Sequence, residues 1–169
     1  MSSPQKRFYQ ANWFWCLVAL GVLVIPFAVS FSLFVWESLR HRSVREKMDL
    51  AIMRLAVECP RGLSEDQWAY CVTWTWQLHS NYGSHPSYVP TDDLDRIADE
   101  LNQRLDRGTG LETIDWIWDE YIKAYARARN YDHYRPTAPE NKELIESGEH
   151  GGNSLSDWRA KYEDARTRN

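Results

Sequence analysis

The chain has 169 residues, 43% of them hydrophobic, with 24 acidic side chains against 20 basic ones. That length fits one domain with an appendage and leaves no room for a two-domain enzyme, and a net charge of −4 offers no basic stripe to a nucleic acid. Three Cys are too few for a disulfide-built miniprotein, and the apolar content excludes collagen-like and wholly disordered chains.

Residues 1–12 read as a short polar flank. From Trp13 to Trp36 run 24 residues without a charged side chain. At 1.5 Å per residue such a helix is about 36 Å long, enough to cross a ~30 Å hydrocarbon core. Trp13 and Trp15 at one end and Trp36 at the other suit the headgroup boundary. Pro26, near the middle, removes one backbone donor and is expected to kink the helix. Ala28 and Ser32 form a small step, four apart, that admits a second helix closely. The rival reading is a cleaved signal peptide ending at Ala28-Val29-Ser30. The apolar run continues through Trp36, which favours a retained anchor.

Arg40, Arg42, Arg45 and Lys47 follow the span, against Lys6 and Arg7 before it. The basic count leans towards a cytoplasmic body, and the cluster is a candidate for anionic headgroups. Residues 37–58 read as a juxtamembrane amphipathic helix, with Val44, Met48, Ala51 and Leu55 as its apolar stripe.

A helical domain is predicted over 59–129, with helices at about 65–80, 92–107 and 111–129. Ser64 to Gln67 form a capping box, with Leu63 and Trp68 at the staple positions. The connection from Asn81 to Thr91 reads as a packed loop. Thr91 is expected to cap the next helix, with Asp92 and Asp93 in its first turn. That helix buries Leu94, Ile97, Ala98, Leu101 and Leu105. Thr109 to Glu112 suggest a second capping box, and the last helix of the domain is expected to bury Leu111, Ile114, Trp118, Tyr121 and Tyr125. Residues 130–169 read as an extended tail, with a short terminal helix at about 157–167. No run alternates with period two for long enough to make a strand. The predicted fold is all-α: one N-terminal transmembrane helix, a small helical bundle and a mostly irregular C-terminal tail.

The chain holds nine Trp and nine Tyr. Trp74/Trp76 and Trp116/Trp118 stand two apart, so each pair points to two sides of its helix, and one small core covers only one side well. Trp74, Trp76, Trp116, Trp118, Trp158 and Tyr162 are therefore the candidate contacts for a partner. Cys59 and Cys71 are a disulfide candidate if the domain lies in an oxidising compartment, an option that opposes the cytoplasmic lean.

His79, His85 and the Glu112/Asp115/Asp119 stripe are the nearest approach to a metal or catalytic set. They lack a zinc-site spacing, and Asp119–Lys123 reads as a helix ion pair. Phosphate-cradling, nucleophile-elbow and dinucleotide motifs are absent from the sequence. No metal, cofactor or small-molecule substrate is inferred. The reading is a single-pass accessory or scaffold subunit that works by contact with the bilayer and with other subunits of a membrane complex. The alternatives are a membrane-tethered hydrolase or metal-binding protein, and an anionic-lipid-binding protein of the membrane surface.

Overall fold

The computed structural model describes residues 4–108, 110–129 and 152–168. These form α1 (Pro4–Arg54), α2 (Glu65–Tyr82), α3 (Thr91–Arg107), α4 (Leu111–Arg129) and α5 (Leu155–Arg168), with no strand among the described residues. The chain divides into two compact units, residues 1–40 and 41–169.

In the first unit α1 runs helically through Pro26. It is the one helix among the described residues that is long and apolar enough to cross a membrane, and none of its most apolar window is buried by the protein. Phe27, for example, is 73% exposed. From His41 onward the helix changes character and buries His41, Val44, Met48, Ala51 and Ile52 in the core of the second unit.

α1 ends at Arg54, four residues short of the predicted end at 58. Its last turn tightens into i→i−3 bonds from Leu55, Ala56 and Val57 to Ile52, Met53 and Arg54. The freed carbonyls are capped from far along the chain. Trp68 Nε1 donates to Leu55 O at 2.7 Å, and Arg159 Nε donates to Ala56 O at 2.8 Å.

α2 starts on the Ser64 capping box, with both reciprocal bonds formed: Gln67 N to Ser64 Oγ at 3.2 Å and Ser64 N to Gln67 Oε1 at 2.9 Å. The loop after α2 is packed, with Val89 fully buried.

α3 differs from expectation at its first residue. Pro90, extended at φ −55° and ψ 145°, is the N-cap, and no side chain caps the helix. Thr91 is already helical, and its hydroxyl lies 3.1 Å from His41 Nδ1 instead of on the helix amides. Leu94, Ile97, Ala98, Leu101 and Leu105 are all buried, as their spacing requires. Gly108 closes the helix at φ +116°, a conformation open to glycine.

α4 is rotated from the predicted face. Ile117, Thr113 and Ala124 join Ile114, Trp118 and Tyr121 inside, while Leu111 is exposed and Tyr125 half-buried. The second capping box depends on Thr109, which lies outside the described residues. The predicted extended segment 130–151 also lies outside them. α5 begins two residues earlier than expected, where Ser154 and Asp157 exchange bonds: Asp157 N to Ser154 Oγ at 3.2 Å and Ser154 N to Asp157 Oδ2 at 3.0 Å.

Candidate contact surfaces and the buried polar centre

The paired indoles were expected to exceed what the core can cover. The structure corrects that for most of them, because α5 closes over the second side of α2. Trp158 is 1% exposed and donates Nε1 to Thr73 Oγ1 at 3.0 Å, and Trp118, 7% exposed, donates to Thr75 Oγ1 at 2.8 Å. Both are therefore core residues with satisfied donors, not free contacts. Trp76 is half-buried, its ring 5.2 Å from that of Trp158. Tyr162 is half-buried against the same core. Trp116 is half-buried beneath the Arg104 guanidinium, 4.4 Å from its ring centre. Trp74, at 39% exposure, is the one candidate contact that the bundle leaves open.

The basic turns after the apolar segment are also largely committed. Lys47 lies 2.7 Å from both Asp95 and Asp99, so it ties α1 to α3 instead of facing headgroups. Arg45 is half-buried, and its Nε has no hydrogen bond. Arg42 is exposed and pairs with Glu46 at 3.0 Å. Arg40 lies over the Trp36 ring at 5.7 Å and 4.0 Å from Glu37. Trp13, Trp15 and Trp36 are exposed.

Sequence reasoning passed over a buried polar centre around two histidines. His79 has no exposed side-chain surface; its Nδ1 lies 2.6 Å from the Tyr121 hydroxyl and its Nε2 3.0 Å from Asp49 Oδ1. The Tyr121 hydroxyl is the donor if His79 carries its proton on Nε2. The Asp49 contact is close but misaligned, so Asp49 Oδ1 and His79 Nε2 remain without hydrogen bonds. Burial first, and the Asp49 charge second, push the Tyr121 phenol well above its ordinary range, with Arg45 opposing. His41 is the second member, with Nε2 3.1 Å from Gly83 O and Nδ1 on Thr91. The signal was present in the spacing: His41 continues the Val44, Met48, Ala51, Leu55 stripe by one step.

The residues of the hydrolase alternative are not brought together. His85 is exposed and bonds Ser87 Oγ at 2.8 Å, Asp119 pairs with Lys123 at 2.5 Å, and Glu112 and Asp115 are exposed. Among the described residues no group of three or more His, Cys, Asp or Glu is placed to hold a metal. Cys59 and Cys71 are free thiols, so the candidate disulfide is not formed in this structure. Burial pushes the Cys71 thiol up to about 12, which leaves it a small core residue.

An open groove of about 530 Å³ lies along α3 and α4, lined by Asp95, Arg96, Asp99, Glu100, Trp116 and Glu120 among others. Its carboxylates are held by cations. Arg96 reaches Glu120 at 2.6 Å, and Arg104 reaches Glu100 at 3.0 Å. Partial burial alone would raise the Glu120 carboxyl, but Arg96 and then Lys123 outweigh it and hold it below the ordinary glutamate range. A depressed folded-state pKa adds stability above the ordinary value, and that stability disappears as pH falls through the folded one. Glu120→Gln is therefore expected to lower the melting temperature slightly at neutral pH and not at all in strong acid. Melting curves of both chains between pH 7 and pH 2 test this.

Compared with known protein families, curated proteins and solved structures, the chain matches none.

Proposed function

We propose that the protein is a single-pass membrane-anchored accessory or scaffold subunit that acts by contact with other subunits of a membrane complex and performs no catalysis of its own. The observation that carries this reading is the apolar stretch of α1, none of which the protein itself covers. Isolated apolar side chains on a soluble surface are ordinary, but a helix exposed all round is what lipid or neighbouring helices cover. The described residues of the second unit pack a core of their own.

The contact reading draws on what the bundle leaves open. Trp74 and the α3–α4 groove with Trp116 in its wall are accessible to a neighbour. His79, bonded to Tyr121 and without exposed side-chain surface, offers no face to a substrate. Lipid recognition by the basic turns has less support, since Lys47 is engaged with Asp95 and Asp99.

Flotation on vesicles tests the anchor. The full chain is expected to float and to resist alkaline extraction, and Phe27→Arg, with a charge placed mid-span, is expected to lose most of the floated fraction. A wild-type chain released by alkali overturns the anchor. Size separation after mild-detergent extraction tests the subunit role, which a lone ~20 kDa chain in its micelle would overturn.

A further inference from the structure

We infer that the end of the second unit where the chain enters it is a docking surface for the phospholipid headgroup layer, with Tyr88 and Arg129 as its contacts. This rests on the anchored reading of α1 and adds which face of the bundle meets lipid. The Tyr82 and Tyr125 rings meet edge-on at 4.7 Å, Tyr88 lies 6.3 Å from Tyr125, and His85 lies 6.1 Å from Tyr88. The Arg129 guanidinium closes the set, 4.8 Å from the centre of the Tyr88 ring. Val89 is the residue with which this loop enters the core, whereas Tyr88 and Tyr125 stay half-buried and His85 is exposed.

Chain connectivity and charge both point to headgroups. His41, the first residue of the second unit, lies 3.1 Å from Gly83 O and from Thr91 Oγ1, so the loop between α2 and α3 is fixed to the point of entry. Trp36, where the uncharged stretch ends, is five residues earlier. Even fully extended, that is about 18 Å of chain, so a membrane-held Trp36 keeps the loop near lipid phosphates at high effective concentration. Tyrosine rings suit the apolar–polar boundary, and a guanidinium pairs with a phosphate through two N–H groups. Neighbouring cations are engaged: Arg127 lies 2.8 Å from Asp93, and Arg42 lies 3.0 Å from Glu46. Arg129 pairs with no carboxylate among the described residues and keeps its donors for a phosphate.

Hydrogen exchange on the full chain tests this, in maltoside micelles and in vesicles of phosphatidylcholine and phosphatidylglycerol. The amides of residues 84–88 are expected to exchange at least about fivefold more slowly in the vesicles, the slowing that one arginine held at an anionic surface supplies. Those of residues 60–63, in the turn at the other end of α2, are expected to be unchanged. Arg129→Gln, at the exposed last residue of α4, is expected to cancel most of the slowing and still to float with the vesicles. No slowing at 84–88 in a chain that floats overturns the surface and leaves the anchor standing, as does equal slowing at 60–63 or slowing that survives Arg129→Gln. A chain that does not float overturns the anchor itself and the surface with it. Slowing at 84–88 in micelles on addition of inorganic phosphate alone would make Arg129 an ion site and overturn the headgroup assignment.

Discussion

Trp68→Ala will lower the stability of the folded chain by about 3–5 kcal/mol, the ordinary cost of emptying a large core site. Trp68 is fully buried and packs within the core cluster that joins α1, α2, α3 and α4. Its indole also caps Leu55 O, one of the carbonyls that α1 leaves open when it ends. Removal therefore empties an aromatic volume and orphans a buried acceptor at once. Against a total of 5–15 kcal/mol for ordinary domains, that is a large share. A fall in melting temperature of about 6–20 °C follows for a chain of this size. A melt of the full chain in mild detergent, followed by helix content, measures it. A shift of only a degree or two would mean that the site collapses around the gap.

Gly83→Ala is the second large effect, and it comes from adding one methyl group. Gly83 has an ordinary φ of −80°, so backbone strain does not require glycine there. The close approach of His79 does. A Cβ at residue 83 would collide with the His79 ring at Nδ1 and Cε1 and lie 2.9 Å from the His79 carbonyl oxygen. The ring is pinned between Tyr121, Asp49 and Trp76 and has no exposed surface to retreat towards. Gly83 O meanwhile bonds His41 Nε2, so the backbone is held as well. Overpacking plus loss of the Tyr121 bond gives about 2–4 kcal/mol. The same melt reads this as a fall of about 5–15 °C. An unchanged melt would show that His79 swings aside freely.

The parts of the fold legible in the sequence are those set by neighbours along the chain. The Ser64 box needs only residues 64–67, and the buried stripe of α3 needs only its own 3–4 spacing. The apolar stretch of α1 is likewise a matter of composition. What escaped depends on partners more than forty positions away. Thr91 has the chemistry of a cap, but His41 takes its hydroxyl across 50 positions. Lys47 sits in a basic run beside the span, yet its partners Asp95 and Asp99 belong to α3. His79 stands in the sequence beside His85 as part of a weak metal or catalytic set, yet its bond to Tyr121 spans 42 positions. The paired indoles misled for the same reason: the cover over α2 comes from a helix 85 positions on, where Trp158 meets Thr73.

Thr73 and Thr75 stand two apart on α2, and their hydroxyls serve opposite neighbours, Trp158 of α5 and Trp118 of α4. The helix is thus a partition fitted with a peg-hole on each wall. Inserting a single residue ahead of Thr73 would turn both walls by about 100° and leave two indole donors facing nothing. Length changes in α2 are barred more firmly than changes of side chain, because phase, and not composition alone, is what the two walls share.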